Sequence, residues 1–449
     1  AIGNNALDAN TTGGKNTGIG VDALGANTTA SENTAVGYQS LLSNTTGSDN
    51  VALGYQALTS NTTADNNVAV GYASLDSNST GSENVAIGKN ALGANTTAAN
   101  NTAVGHHSLL ANTTGTQNVA VGSSSLDANT TGGSNTALGH NSLSGNTEAN
   151  GNTALGHNAL SGSNTGNDNT GVGSGALVSN TSGTGNVAVG AGIAGVDVAA
   201  MGLNTTGSNN VAIGRQALRS NTTGSSNVAI GKSALVANTV ASDNTAVGET
   251  AGESITTGNS NTLIGHGAGD DIVDGSNNVA VGFNLGVGAS IGNSITLGSG
   301  ISSTGSNDFS FGKASNVVTN NFDTDANWSR SSDVRKKRNI KDDHLGLSFI
   351  NNLRPVTFQW KPSNEFPQEW NEYSEENNMN LEAIMHGMIA QEVKEALDKE
   401  GVDTFAGWSV NDDGMQRLSR EMFVTPLINA VKELSTQVDE LKAEIQTLK

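Results

Sequence analysis

Several residue types are scarce in this chain, and each scarcity excludes a class of protein. There is no cysteine, so a disulfide framework and a thiolate metal site are both excluded. No run of about 18 apolar residues and no signal peptide is found, so membrane insertion is not expected. Lys and Arg number 21 against 41 Asp and Glu, giving a net charge of −20. Without a large basic face, nucleic acid is not an expected partner.

Composition divides the chain in two near residues 315–331. All four Trp and all four Pro lie beyond residue 327, whereas all but five of the 57 Gly lie before residue 331. We expect a repeat shaft over 1–298, a distal tip or transition segment over 299–331, and a compact C-terminal domain over 332–449 whose final helix covers about 421–449.

The N-terminal part is a 17-residue internal repeat. A glycine closes each AVG, ALG or AIG triplet, and the spacing slips by seven residues once, between 190 and 214. A fixed short period of this kind predicts stacked coils of a solenoid or fibre. The glycines lie at 3, 20, 37, 54, 71, 88, 105, 122, 139, 156, 173 and 190, and then at 214, 231, 248, 265 and 282.

Each slot of a repeat predicts a role. An asparagine four residues before the glycine, such as Asn33 or Asn50, predicts a stacked ladder of side-chain amides. The apolar residue just before the glycine, such as Val36, is expected to point inward from a short strand. Leucine four residues after the glycine, such as Leu41, forms a second apolar stripe. That slot turns to Gly at 252, 269 and 286, where we expect the coil to change shape.

The NTTG segments predict turns, because Asn, Thr and Gly favour turn geometry. NTT is also a glycosylation acceptor motif. Its strict period favours the structural interpretation.

The scarcity of apolar side chains favours an assembly of several chains. Two or three apolar residues per coil are too few to enclose a core, so we expect copies to turn these stripes toward a common axis. The fold class predicted is therefore a mainly β, trimeric, β-solenoid-like shaft of 17-residue coils, followed by an α+β C-terminal domain. At about 4.8 Å per coil, the shaft would be roughly 80 to 90 Å long.

Little in the shaft points to chemistry. The slot after the glycine varies, which indicates a solvent-facing position. There His140 and His157 would stack, and in a trimer they would form a six-histidine column able to hold a metal. Exposed histidines are the simpler interpretation, and we predict no metal and no cofactor. Asp270 and Asp271 are adjacent and fit a turn better than the paired carboxylates of a glycosidase.

The C-terminal domain carries four ordered motifs: SSDVRKKRNIKDD (331–343), LRPVTFQW (353–360), HGMIAQEV (386–393) and AVKELSTQVDELKAEI (430–445). Together they resemble the intramolecular chaperone and auto-processing domain of endosialidase-type phage tailspikes and tail fibres. The resemblance covers essentially all of residues 331–449. It implies a domain that helps three chains fold in register and then cuts itself off.

The resemblance also implies the residues of that cleavage. The SDxRxK signature falls on Ser332, Asp333, Arg335 and Lys337, which places the scissile bond between Ser331 and Ser332. Ser332 would be the nucleophile, Lys337 its base, and Asp333 and Arg335 supporting residues. A spacing of five puts two residues on different faces of a helix or strand, so the pair can meet only across a turn or between chains. A solvated basic patch or a helix start is the alternative interpretation of RKKR.

The final helix indicates assembly. Val431, Leu434, Val438, Leu441, Ile445 and Leu448 alternate by three and four, as in a coiled coil. β-Branched residues at a with Leu at d favour dimers in isolation, but a trimer is expected because the whole fibre must share one symmetry. A helix packed on its own domain is the alternative.

These features predict a structural tail fibre of a phage or phage-like contractile apparatus. Its activity would be limited to its own cleavage. Expected partners are two further copies, a host cell-surface receptor of glycan or protein, and tail or baseplate proteins. The chain starts mid-repeat, so we expect the tail attachment region to precede it.

The fibre would be assembled in the host cytoplasm and act at the cell surface, as part of a virion tail or an extracellular injection apparatus. The alternatives are a bacterial trimeric surface adhesin, whose heads the repeats resemble loosely, and a polysaccharide-degrading tailspike.

Overall fold

The chain forms two compact units, residues 1–331 and 332–449, in a computed structural model. The structure describes residues 1–192, 199–314, 316–321, 332–368, 370, 373–377, 379, 381–411 and 414–448. Each unit is described separately below.

The first unit is a β-solenoid with one short strand in each coil. Neighbouring strands are parallel and in register at the repeat spacing, so that Thr34 pairs with Val51 and Ala35 with Ala52. The seven-residue slip leaves this pairing intact, because β11 pairs with β12 in the same register, with Val187 opposite Val211. The three-residue strands are β1 Thr17–Ile19, β2 Thr34–Val36, β3 Val51–Leu53, β4 Val68–Val70, β5 Val85–Ile87, β6 Thr102–Val104, β7 Val119–Val121, β8 Thr136–Leu138, β9 Thr153–Leu155, β10 Thr170–Val172, β11 Val187–Val189, β12 Val211–Ile213, β13 Val228–Ile230, β14 Thr245–Val247 and β15 Thr262–Ile264.

The strands lengthen and the coils shorten toward the end of the solenoid. The last four strands are β16 Val279–Phe283, β17 Ile295–Ser299, β18 Asp308–Lys313 and β19 Asn316–Asn321. β16, β17 and β18 remain parallel, whereas β19 pairs antiparallel with β18 and so ends the parallel stack. The transition segment predicted over 299–331 thus begins as regular sheet, and its residues 322–331 lie outside the described residues.

Each coil encloses its own apolar core. The central alanine of the strands, such as Ala35 and Ala52, is fully buried, and so is the leucine column that includes Leu41 and Leu58. The expectation that one chain has too few apolar residues to enclose a core is therefore wrong. Alanine and leucine suffice because the coil is narrow: a Cβ built on Gly171, in the alanine slot, would lie 3.3 Å from Leu160 Cγ.

The orientation predicted for the strands is also wrong. The residue just before the glycine points outward, and Leu53 and Leu138 are 47% and 46% exposed. Side chains alternate along a strand, so burial of the central alanine forces both flanking residues onto the other face. We call the first and third residues of strands β1–β15 the outer sheet face.

The repeated glycine is required by close packing between coils. Gly54 has φ of 144°, and a Cβ on it would lie 2.2 Å from the carbonyl oxygen of Gly71 in the next coil. The residues of the leucine column also adopt the left-handed backbone conformation, with a φ of 51° at Leu41. Gly252 and Gly269, which replace leucine in this column, have similar φ values of 60° and 62°. The expected change of coil shape is therefore absent at 252 and 269, and it comes at Gly286, which lies outside that conformation.

The predicted asparagine ladder is present and buried. Asn33 Oδ1 accepts hydrogen bonds from the backbone N–H of Asn50 at 3.0 Å and from Asn50 Nδ2 at 3.1 Å. Asn50 Nδ2 also donates to the carbonyl oxygen of Ala64, at 2.8 Å. The ladder thus joins each coil to the next by side-chain and backbone bonds together.

The asparagines of the NTT segments form a second buried ladder, which sequence reasoning missed. Asn61 Nδ2 donates to Asn44 Oδ1 at 2.9 Å and to the carbonyl oxygen of Ala64, three residues on, at 3.0 Å. The strict period of these segments was the signal that could have revealed it. Asn61 is fully buried in the folded coil, which leaves its amide inaccessible to glycan attachment.

The second unit is a small α+β module. Its described elements are the 3-10 turns Val334–Lys336, Ser363–Glu365 and Arg420–Phe423, the helices α1 Leu347–Asn352, α2 Ala390–Lys399 and α3 Val424–Thr447, and the strands β20 Val356–Phe358, β21 Met385–Gly387, β22 Trp408–Val410 and β23 Gln416–Leu418. β20 pairs with β21 and β22 with β23, both antiparallel. The core is built from Leu345, Phe349, Val393, Leu397 and Phe423.

Candidate functional site

The SDxRxK signature folds into one 3-10 turn. Asp333 caps the turn, and its Oδ1 accepts the backbone N–H of Arg335 at 2.8 Å. Lys336 and Lys337 close the turn with backbone bonds to the carbonyl oxygens of Asp333 and Val334. An Asp side chain commonly stabilises such a turn in this way, which explains the Asp at this position.

This turn brings Ser332 and Lys337 together. Lys337 Nζ donates a hydrogen bond to Ser332 Oγ at 2.7 Å, and both residues are exposed. Sequence spacing required the pair to meet across a turn or between chains, and within one chain they meet across a turn. The distance is within the reach needed for proton transfer between a nucleophile and its base.

Asp333 and Arg335 form the frame of the turn. Arg335 Nε donates to Asp333 Oδ1 at 3.0 Å, and a second guanidinium nitrogen donates to Oδ2 at 2.6 Å. The hydrogen bond from Arg335 lowers the pKa of Asp333 below its usual value, with a smaller contribution from the charge of Lys336. Asp333 is therefore ionised at neutral pH, and the turn keeps its cap and its ion pair there.

The other partner of the predicted scissile bond, Ser331, lies outside the described residues. Arg335 lies within the 3-10 turn, and Ser332, Asp333 and Lys337 flank it.

The second and third sequence motifs pack against each other. β20 and β21 align Val356 with Gly387 and Phe358 with Met385. Arg354 and Glu392, which flank these strands, form an ion pair in which Arg354 Nε donates to Glu392 Oε2 at 3.1 Å. The second and third motifs therefore form one structural unit of the module.

The long helix α3 has two different faces. Pro426 and Ala430 are buried against the module. An exposed apolar row, which we call the helix seam, runs the whole length of the helix with the three-four spacing of a coiled coil. The seam predicted from the sequence began at Val431, whereas in the structure it also includes Val424 and Leu427. The full seam consists of Val424, Leu427, Val431, Leu434, Val438, Leu441, Ile445 and Leu448.

The same helix also contacts the segment that follows the turn. Asn429 and Glu433 make hydrogen bonds to backbone atoms of residues 343–347. Sequence analysis missed both residues. Their spacing of four, on the same face as Pro426 and Ala430, was the available signal.

The shaft shows ladders of exposed rings at the slot after the glycine. Tyr38, Tyr55 and Tyr72 stack at centroid distances of 5.1 and 5.0 Å, and His140 stacks on His157 at 5.4 Å. Asp271 accepts the backbone N–H groups of Val287 and Gly288, 16 and 17 residues on, so its carboxylate joins one coil to the next.

Neither a metal centre nor a membrane span emerges from the part of the chain that the structure describes. Within those residues, no three His, Asp or Glu side chains are grouped as a metal ion would require. The described helices also include none with the length and apolar character needed to cross a membrane.

Residues 332–402 match the family model described as chaperone of endosialidase. The match begins at Ser332, two residues before the 3-10 turn Val334–Lys336, and ends before α3. Searches of the curated proteins and of the solved structures found no match to this chain. A C-terminal chaperone domain of this family joined to a β-solenoid of 17-residue coils is consistent with a tail fibre or tailspike-like protein.

Proposed function

We propose that this chain, whose C-terminal module carries an endosialidase-type chaperone domain, is the shaft of a homotrimeric fibre that attaches to a host surface and releases its chaperone by self-cleavage. The observation that carries the cleavage is the contact between Lys337 Nζ and Ser332 Oγ. The site is built by one turn of one chain, at the start of the matched domain.

The proposed reaction is an acyl transfer followed by hydrolysis. Ser332 Oγ attacks the carbonyl carbon of Ser331, and Lys337 as the neutral amine takes the hydroxyl proton. The C–N bond breaks as that proton passes to the leaving nitrogen of Ser332, leaving an ester. Water then hydrolyses the ester, which gives a carboxylate on Ser331 and restores the Ser332 hydroxyl.

Assembly would supply the environment that this reaction needs. In the single chain both residues of the pair are exposed to solvent. Removing water from an amine favours its neutral form. We therefore place cleavage after the copies have packed together around this segment.

Two exposed apolar surfaces support a trimer. The outer sheet face repeats Val, Ile and Leu over many coils, including Val51, Leu53 and Leu138. An apolar surface that continues over many coils usually marks an interface with another protein. The helix seam offers a second such surface, and both extend along the chain as an assembly of parallel copies requires.

The first prediction tests the reactive pair. Wild-type protein should yield fragments 1–331 and 332–449, whereas Ser332→Ala and Lys337→Ala should remain full length, because the first lacks the nucleophile and the second the base. Intact mass spectrometry of freshly produced protein measures both. The matched control is Lys336→Ala, which removes a neighbouring charge on the same turn and should still cleave.

Cleavage that persists in Ser332→Ala would contradict the proposed nucleophile. Fragments that meet at another bond would contradict the proposed cleavage site.

A further inference from the structure

The reactive turn is followed by a stretch with no buried residue. All residues from Ser332 to His344 are exposed, and burial begins at Leu345, which is 2% exposed. The first point at which the module fixes the chain downstream of Lys337 is therefore residues 343–347. Whatever holds that point limits how far the turn can move.

Helix α3 holds this point with two side chains, Asn429 and Glu433, which we call the helix clamp. Asn429 Nδ2 donates to the carbonyl oxygens of Asp343 at 2.9 Å and Leu345 at 3.1 Å. Glu433 Oε2 accepts the backbone N–H of Leu347, the first residue of α1, at 3.0 Å. These bonds join segments that lie far apart in the sequence, so they are tertiary contacts and not local turn bonds.

Gly346 makes the Glu433 contact possible. A Cβ built at this residue would lie 1.9 Å from Glu433 Oε1, closer than atoms can approach. Any larger residue would push the carboxylate away from the Leu347 N–H. The glycine and the glutamate thus act together, although they belong to opposite ends of the module's sequence.

The helix clamp and the helix seam lie on different sides of the same two turns of α3. Asn429 and Glu433 share the side of buried Pro426 and Ala430, whereas the seam residues beside them are exposed. An α-helix is stiff over this length, so fixing its seam fixes its other side. Packing of the seam against other copies would therefore set the position of residues 343–347.

We propose that Asn429 and Glu433 are positioning residues that connect assembly of α3 to the geometry of the Ser332–Lys337 pair. This inference rests on the proposed function, since it presumes that the pair cleaves the chain. When α3 is held by its copies, the helix clamp anchors the chain six residues beyond Lys337. The turn then has fewer conformations, and the nucleophile, base and scissile carbonyl meet more often.

The second prediction follows in the full-length chain. Glu433→Ala and Gly346→Ala should slow self-cleavage by about tenfold or more, because misplacement of reacting groups by about 1 Å can cost that much. Glu433→Gln keeps an acceptor oxygen and should cleave within about threefold of wild type. Glu440→Ala, on the exposed part of the same helix, is the matched control and should cleave normally.

The measurement is a time course of cleavage after a pulse of cell-free synthesis, read on denaturing gels. Each change is also made in the Ser332→Ala background, where sedimentation gives the mass of the uncleaved assembly. The proposal expects unchanged assembly with slowed cleavage, and rescue by Glu433→Gln.

Three results would overturn the inference. The first is a wild-type cleavage rate in Glu433→Ala, and the second is failure of Glu433→Gln to restore that rate. The third is loss of assembly in Glu433→Ala, because the role of Glu433 would then be structural. If wild type itself stays uncleaved, it is the proposed function that fails, and the two failures are thus distinct.

Discussion

At the scale of single residues, the shaft depends on buried asparagines that satisfy one another. A buried amide without partners destabilises a protein, since its donors and acceptor lose their bonds to water. Stacking at the repeat spacing gives each amide a neighbour of the same kind. The ladder of NTT asparagines ends at Asn238, because Ile255 occupies the same position in the next coil. Asn238 Oδ1 therefore has no amide to bond, and it is one of the buried atoms that lack a hydrogen-bond partner in the described part of the chain.

The third prediction concerns an internal rung of that ladder. Asn61→Ala should lower stability by roughly 1 to 3 kcal/mol, because it leaves the buried Asn44 Oδ1 without its donor. The Ala64 carbonyl and Asn78 Nδ2 each lose one of two hydrogen bonds and keep the other, to Asn50 and Gly81. Hydrogen exchange should show reduced protection in the adjoining coils. Thr63→Ala, an exposed residue of the same turn, is the control and should change little. Equal protection in both variants would contradict a structural role for the ladder.

At the scale of elements, each strand divides its three residues between two tasks. The central residue fills the coil, and its neighbours form the outer sheet face. In β15 the central residue is Leu263 instead of alanine. A Cβ built on Gly252 or on Gly269 would lie 2.7 Å from a methyl carbon of Leu263, so neither position has room for a side chain. The leucine column turns to glycine at those two positions, so a large residue on one side is matched by two small ones opposite.

The fourth prediction compares two neighbours in β8. Ala137→Leu should destabilise the coil by about 1 to 3 kcal/mol or more. The two positions that are glycine beside Leu263 are Leu126 and Leu143 beside Ala137, so the coil has no room for a third large side chain there. Leu138→Lys should leave the coil folded but weaken assembly, because it places a charge on the outer sheet face. Thermal unfolding and sedimentation separate the two effects. A Leu138→Lys protein that assembles as wild type would exclude the outer sheet face as the interface.

At the scale of the whole molecule, repetition creates an alignment problem. Copies that slip by one 17-residue coil realign nearly every Asn, Ala and Leu, so incorrect registers lose little contact energy. A C-terminal module that associates first would fix all copies at one end. Removing it afterwards would leave a shaft that cannot easily unfold and reassemble, which is kinetic stability.

The fifth prediction tests that role. Residues 1–331 produced alone should aggregate or assemble out of register, whereas the shaft released by cleavage should sediment as a trimer. The released trimer should also unfold more slowly than uncleaved Ser332→Ala, when unfolding is followed at one elevated temperature. Soluble, correctly trimeric shaft produced without residues 332–449 would contradict the chaperone role.

The sequence by itself determined the solenoid and the asparagine ladder, and it limited how Ser332 and Lys337 can meet. These follow from spacing: the fixed period of the glycines defines the coil, and a gap of five between Ser332 and Lys337 allows contact only across a turn or between chains. The spacing of residues is visible along the chain, and backbone geometry was enough to predict structure from it.

Only the tertiary structure decided which side of each strand faces the core. Hydrophobicity favours burial of Val36 over Ala35, but the space inside the coil admits only the alanine, and that space depends on the leucine column opposite. The link of Asn429 and Glu433 to residues 343–347 was hidden for the same reason. Volumes and contacts between distant segments exist only once the chain has folded, so no pattern along the sequence displays them.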